Sequence, residues 1–94
     1  MNLSYEKDYK LAGLLGYDTL IIGQRVHIAI KHKWIGFPTT NDLGKIRLLR
    51  IMKERKDWDK FLTWLTAFEL IDLLLDKTGR FREAVIEFLE EQGK

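Results

Sequence analysis

The 94-residue chain contains no cysteine, one proline and no apolar run long enough to cross a membrane. Without cysteine there is no disulfide framework and no thiolate metal site, and a reducing compartment fits this absence. A membrane-spanning helix needs about 20 consecutive apolar residues. The first ten residues, MNLSYEKDYK, lack the basic-then-apolar order of a signal peptide. The sequence therefore predicts a cytoplasmic protein with no membrane partner, from a microbe or one of its viruses.

Motifs that carry catalysis are also missing, because the chain has no phosphate-binding glycine loop, no zinc spacing and no nucleophile elbow. His27 and His32 are five residues apart, and an odd spacing sends them to opposite faces of a strand. Glu69, Asp72 and Asp76 share one side of a helix, but no second acidic cluster is evident, so we expect them to pair with basic residues. The sequence predicts no enzyme, no metal and no cofactor; a hydrolase with an unrecognised site is the least favoured alternative.

What the chain does contain is a strongly apolar segment at 57–77, DWDKFLTWLTAFELIDLLLDK. Apolar residues recur there at steps of three and four, and others fill most of the circumference, which is typical of a buried helix. Asp57 is expected to be its N-cap and Gly79 its stop. The periodic residues expected on one side of this central helix are Phe61, Trp64, Phe68, Ile71 and Leu75.

Two amphipathic helices are predicted at the ends of the chain. Residues 4–15 form a short helix closed by Gly16. Residues 80–91 form a helix that should pack antiparallel to the central one, because Thr78-Gly79 leaves space only for a tight reversal. The apolar face of this last helix is Phe81, Ala84, Val85, Phe88 and Leu89.

Residues 18–35 change to a period of two, which predicts β-structure. Gly23-Gln24 suits a two-residue hairpin turn that pairs 18–22 with 25–30, and a continuous bent strand is the alternative. The alternation places Trp34 in the core with the other apolar residues on even positions. The opposite face then carries Arg25, His27, Lys31 and Lys33.

A loop at 36–44 precedes residues 45–56, which are predicted to be a helix, with a third strand as the alternative. The fold class is therefore α+β, in a single domain spanning 1–94. It has a short N-terminal helix, a β-hairpin or long strand, and then two to three helices packed around the central hydrophobic helix. An all-α bundle is the alternative. A sheet of two short strands is marginal unless it is covered or extended, so we also expect a homodimer joined through strand edges.

The net charge of +2 conceals an uneven distribution along the chain. Residues 24–56 carry nine Lys and Arg against Asp42 and Glu54, a balance of +7, whereas 57–94 have a balance of −4. Either the basic middle segment meets an anionic partner, or the two parts meet each other within a protomer or across a dimer.

We expect a small non-enzymatic binding module whose basic middle segment engages nucleic acid or an acidic protein. Cations near exposed rings can bind phosphates while the rings stack on bases, and Phe37 lies beyond the strand, where it is free to stack. The alternative is a protein-binding inhibitor or regulator of a phage-encoded, anti-defence type. The candidate binding residues are Arg25, Lys31, Lys33, Phe37, Arg47, Arg50 and Lys53.

Overall fold

The computed structural model describes residues 4–92, and it describes their side chains except those of Ser4, Ala67 and Phe68. The predicted core position of Phe68 therefore lies outside the described side chains. The order along the chain is α1 (Ser4–Leu14), β1 (Thr19–Ile22), β2 (Arg25–Ile30), β3 (Lys33–Gly36), α2 (Asp42–Lys53), α3 (Trp58–Trp64), α4 (Ala67–Leu75) and α5 (Arg80–Gln92). The predicted α+β class is confirmed, and the all-α alternative is excluded.

Helix α1 ends at Gly16 as predicted. Gly16 has a φ of +85°, and its N–H donates to the carbonyl of Gly13 at 3.0 Å. The next N–H, that of Tyr17, donates to the carbonyl of Ala12 at 3.1 Å, which satisfies the last turn of the helix. The helix packs against α5 and against the sheet, with Leu11 and Ala12 buried.

The sheet is antiparallel with the order β1-β2-β3. The predicted turn at Gly23-Gln24 is confirmed, with a φ of +64° at Gly23. A second two-residue turn was not anticipated: Lys31 and His32 have φ values of +52° and +68°. Two consecutive positive φ values are typical of the type I′ hairpin turn. The expected strand across 25–35 is therefore two strands, and β3 comes from its second half.

These turns reverse the predicted faces of β1 and β3, whereas β2 has the predicted faces. A two-residue turn pairs an even with an odd position, so Ile22 pairs with Arg25 and Ala29 pairs with Trp34. Directly paired residues project from the same face. Trp34 therefore lies on the outer face and is 50% exposed, so its predicted burial is wrong. The inner face is formed by Val26 and Ile28 of β2, which are buried.

Residues 45–56 are helical up to Lys53, which confirms the helix and excludes the alternative strand. Helix α2 begins after Asn41, whose Oδ1 accepts a hydrogen bond from the N–H of Gly44 at 2.7 Å. The same turn packs tightly on the preceding loop. A Cβ atom on Gly44 would lie 1.5 Å from the carbonyl oxygen of Pro38, so only glycine permits this approach.

The predicted central helix is interrupted, so its expected length is wrong. Helix α3 ends at Trp64, Leu65 is extended with φ −99° and ψ 151°, and Thr66 starts α4. The Thr66 hydroxyl accepts a hydrogen bond from the N–H of Glu69 at 3.1 Å, as an N-cap does. At the start of α3, Asp57 makes no side-chain capping bond and instead pairs with Arg55 at 2.9 Å.

The break changes which side chains are buried. Phe61, Leu65 and Leu73 are buried, whereas Ile71 and Leu75, predicted to face the core, are exposed. Helix α5 follows the prediction more closely, because Phe81, Val85, Phe88 and Leu89 are all buried. The rings of Phe61 and Phe88 meet edge to face with their centroids 5.1 Å apart, and this contact joins α3 to α5 in the core.

Candidate functional site

A cleft of about 320 Å³ opens where the start of β2, the end of β3 and the first turn of α2 meet. It brings together three of the seven candidate residues, Arg25, Phe37 and Arg47. The remaining walls include Tyr5, Asp8, His27, Pro38 and Asn41.

Arg47 joins α2 to the edge of the sheet. Its guanidinium Nη1 donates to the carbonyl oxygen of Gly36 at 2.5 Å. The N–H of Phe37 donates to the carbonyl of Val26 at 2.8 Å, so Gly36, one residue earlier, directs its carbonyl away from β2. Arg47 thus satisfies a backbone acceptor on the outer edge of β3 and places a guanidinium group in the wall of the cleft.

Phe37 does not have the predicted role. Its hydrogen bond to Val26 extends the β2–β3 ladder and directs the ring into the core, where it is 1% exposed. A buried ring cannot stack on a base, so the predicted exposure of Phe37 is wrong. On the sheet, Trp34 is the ring that lies open to solvent, because the turn at Lys31-His32 interrupts the alternation that places it in the core.

The two other basic candidates on the sheet, Lys31 and Lys33, lie at the end of the strands opposite to the cleft. Lys33 pairs with Ile30, and exposed Lys31 lies in the turn that follows Ile30. Arg25 is five residues from Ile30, which corresponds to roughly 17 Å along an antiparallel strand. Arg25 and Trp34 share the outer face, whereas Lys33 belongs to the opposite face at an exposed rim.

Arg50 and Lys53 are exposed on α2 and follow Arg47 at steps of three. Within residues 4–92 neither forms an ion pair, and the same holds for Arg25, Lys31, Lys33 and Lys56. The structure therefore leaves six cations of the basic middle segment exposed to solvent.

The other basic groups of that segment are engaged within the chain. The Lys45 ammonium is buried and donates to the carbonyl oxygens of Leu74 and Asp76, at 2.7 Å each. A cation at these positions complements the negative end of α4. The basic middle segment and the acidic last part of the chain therefore meet at Lys45, where the ammonium contacts backbone carbonyls and not carboxylates of the acidic part.

A buried polar network lies behind the cleft. The Asp8 carboxylate accepts hydrogen bonds from the Thr39 hydroxyl and from Nη1 of Arg82, the latter at 3.2 Å. All three side chains are buried, so the carboxylate and the guanidinium compensate each other's charge. No local pattern in the sequence indicates this network, because Asp8 and Arg82 are 74 positions apart.

The three carboxylates predicted to pair with basic residues, Glu69, Asp72 and Asp76, have different surroundings. Asp76 accepts hydrogen bonds from the Thr78 hydroxyl and from the N–H groups of Thr78 and Arg80, and these bonds lower the pKa of Asp76. Glu69 and Asp72 line a groove with Glu83 and Glu87 of α5. Neither forms an ion pair within the described residues, so their expected pairing with the basic segment is absent there.

Among residues 4–92, no group of three or more His, Asp or Glu side chains is arranged to hold a metal ion. No helix in the same range is long and apolar enough to cross a membrane. No protein-family model matches the sequence, and neither the curated proteins nor the solved structures give a match. The function must therefore be inferred from the exposed ring, the cations and the cleft themselves.

Proposed function

We propose that this chain is a small, non-enzymatic, cytoplasmic module that binds single-stranded nucleic acid. The observation that carries the proposal is the position of Trp34, half exposed on the outer face of the sheet, with exposed cations on the adjoining turn and at the other end of the same face. Lys33 precedes it in β3, the Lys31-His32 turn lies just before, and Arg25 shares its face.

A ring in this position offers a stacking surface for an unpaired base. Stacking on an aromatic side chain contributes about 1 to 3 kcal/mol per base, and it is available to single strands because their bases are not already stacked within a duplex. Lysine and arginine groups around the ring can bind the phosphates that flank such a base. Arg25 and Arg47 would continue the contact into the cleft at the other end of the face.

The exposed cations support the proposal because they are available without breaking the fold. Arg25, Lys31 and Lys33 are exposed and form no ion pair within residues 4–92, so a phosphate would not have to displace a carboxylate. Lys45 and Arg47, which hold α2 in place, are the basic residues whose loss would also disturb structure.

The test is a fluorescence-anisotropy titration of labelled single-stranded DNA and RNA at low salt. Trp34→Ala should weaken binding by roughly 5- to 150-fold, which corresponds to the loss of one stacked base. Tyr9→Ala is the matched control, because Tyr9 is 49% exposed on α1, away from the proposed surface, and should leave affinity unchanged. Lys31→Glu with Lys33→Glu should weaken binding and lower the salt slope by about one unit per lost contact.

Binding to neither nucleic acid, or equal loss in the Trp34 and Tyr9 variants, would contradict the proposal. The second candidate, a protein-binding inhibitor of a phage type, then becomes the better account. It is favoured by the apolar character of the same face, where Leu20 and Ile22 are exposed beside Arg25. Nuclease treatment of a lysate pull-down separates the two, because a protein partner survives it. The predicted homodimer is part of either proposal, since two copies would present two such faces.

A further inference from the structure

Among residues 4–92, strand β1 is an edge of the sheet with no strand beside its outer side. The N–H of Ala29 donates to the carbonyl of Asp18 at 3.1 Å, so Asp18 directs its backbone groups toward β2. Backbone groups alternate in direction along a strand, so Leu20 and Ile22 also bond to β2. Thr19 and Ile21 therefore direct their N–H and C=O groups away from the sheet.

The opposite edge of the sheet is protected. On β3 the outward groups belong to Trp34 and Gly36, and the Gly36 carbonyl already accepts a hydrogen bond from Arg47. Pro38, which has no N–H, follows directly after the ladder. Strand β1 has no such protection within the described residues. Its sequence Thr-Leu-Ile-Ile contains no charge and no proline, and Leu20, Ile21 and Ile22 are exposed. An apolar, uncharged edge of this kind favours pairing with another strand.

We propose that β1 pairs antiparallel with β1 of a second copy of the chain, forming one six-stranded sheet. This inference builds on the homodimer included in the proposed function and specifies its interface. A second copy suits this edge because the outward N–H groups of each strand can donate to the outward carbonyls of the other. The core faces of both copies would lie on one side of the joined sheet, and both Trp34 rings on the other.

Symmetry restricts the register of the pairing to a few alternatives. A two-fold axis perpendicular to the sheet places residues of the same face opposite each other, so it must lie between the two strands, midway between one residue of β1 and the same residue of the partner. An axis at Ile21 would require pairing by Gly23, which is in the turn with a φ of +64°. An axis at Leu20 keeps all pairing within extended residues. Thr19 then bonds to the partner's Ile21, and Leu20 meets the partner's Leu20.

Charge on the outer face is complementary in this register. Asp18 lies opposite the partner's Ile22, whose neighbour across the β1–β2 ladder is the partner's Arg25. Asp18 and Arg25 both project from the outer face, and the long arginine side chain can extend across Ile22. Each dimer would thus form two symmetric acid–base contacts that flank the Leu20 pair.

The test is sedimentation equilibrium of the full chain without nucleic acid. The wild type should have about twice the 11.1 kDa of one chain. Leu20→Lys and Leu20→Glu should each give the monomer, because like charges would meet across the axis. A one-to-one mixture of the two variants should restore the dimer, because opposite charges then meet. Leu20 is 42% exposed, so neither change should unfold the monomer, and circular dichroism checks this.

Leu43→Lys is the matched control, because Leu43 is an exposed leucine on α2, and the variant should remain a dimer. A monomeric wild type overturns the inference. So does a dimer that persists in both Leu20 variants, or a mixture that stays monomeric. Because these samples contain no nucleic acid, a failure of nucleic-acid binding leaves their outcome unaffected, and a monomer could still bind nucleic acid through Trp34.

Discussion

At Gly44 we expect that adding a single methyl group prevents the start of α2 from packing against the loop at Pro38. The Cβ of an alanine there would lie 1.5 Å from the Pro38 carbonyl oxygen, a backbone atom that cannot move aside by rotation. Gly44→Ala should therefore lower the free energy of unfolding by about 3 kcal/mol or more, as severe overpacking does. Urea denaturation measures this loss directly.

Gly13 is the internal control for this prediction. It lies within α1, and a Cβ there would meet no atom within 4 Å. Gly13→Ala should raise the free energy of unfolding by up to about 1 kcal/mol, because alanine is the better helix former. Equal effects at the two glycines would mean that α2 does not approach Pro38 as described.

Asp76 gives the fold a dependence on pH. Hydrogen bonds from Thr78 and Arg80 favour its charged form and lower its pKa in the folded chain. Its stabilising contribution is therefore fully present above the unfolded pKa of about 3.9. The contribution is lost as the pH falls through the lower, folded pKa.

Asp76→Asn should accordingly lower the melting temperature at neutral pH. The difference from the wild type should shrink as the pH falls below about 4, where the wild-type carboxylate is itself protonated. Thermal melts across this range measure it. A constant difference at every pH would show that the charge of Asp76 is not what stabilises the turn.

At the scale of elements, local signals in the sequence predicted α1, α5 and the first hairpin close to where they lie. Gly16 and the Gly23-Gln24 turn marked real chain reversals, because glycine accepts positive φ without strain. The second turn was not predicted because Lys31-His32 lacks the Asn-Gly, Asp-Gly or Gly-Gly pair that is typical of type I′ turns. Because of this turn, Trp34 lies on the outer face and not in the core.

The break between α3 and α4 was missed for a related reason. The apolar spacing from Phe61 to Leu75 continues across the break, whereas the N-cap function of Thr66 depends on a single hydroxyl bond to Glu69. Periodicity reports which residues can share a face, but it does not report whether the backbone between them is continuous. Partners that are distant in sequence, such as Asp8 and Arg82, give no local signal at all.

Lys45 is expected to hold α2 and α4 together. Lys45→Met keeps the aliphatic stem but removes the ammonium that bonds to the carbonyls of Leu74 and Asp76. A single hydrogen bond to a charged group contributes about 1.5 to 3 kcal/mol, so the free energy of unfolding should fall by at least that amount. Lys53→Met, at an exposed position of the same helix, should change it by no more than about 0.5 kcal/mol.

These unfolding free energies are measured by urea denaturation of the two variants side by side. A Lys45→Met protein as stable as Lys53→Met would show that the buried ammonium is dispensable. The contact between α2 and α4 would then depend on apolar packing alone.

At the scale of the whole molecule, one set of polar groups holds the elements together around the core, and a different set of groups is exposed at the surface. The internal ion pairs and hydrogen bonds of Asp8, Arg47 and Lys45 join α1, the sheet, α2 and the end of α4 around the core. The groups left outside include the Trp34 ring, the apolar β1 edge and six cations of the middle segment. Residues 24–56 contain nine Lys and Arg, and only the three-dimensional structure shows that six of them are exposed without an ion pair within residues 4–92.

The burial of Lys45 also makes it a chemical reporter. An acylating reagent modifies a lysine only when its amine is neutral and reachable, and the ammonium of Lys45 is enclosed by two carbonyls while exposed lysines such as Lys31, Lys33 and Lys53 are open to the reagent. Peptide mass spectrometry after brief labelling would therefore find Lys45 unmodified in the closed molecule. The rate at which Lys45 is slowly labelled would therefore report the rate at which α4 detaches from α2. Lys31, Lys33 and Lys53 cannot report this opening, because they are exposed in the closed molecule as well.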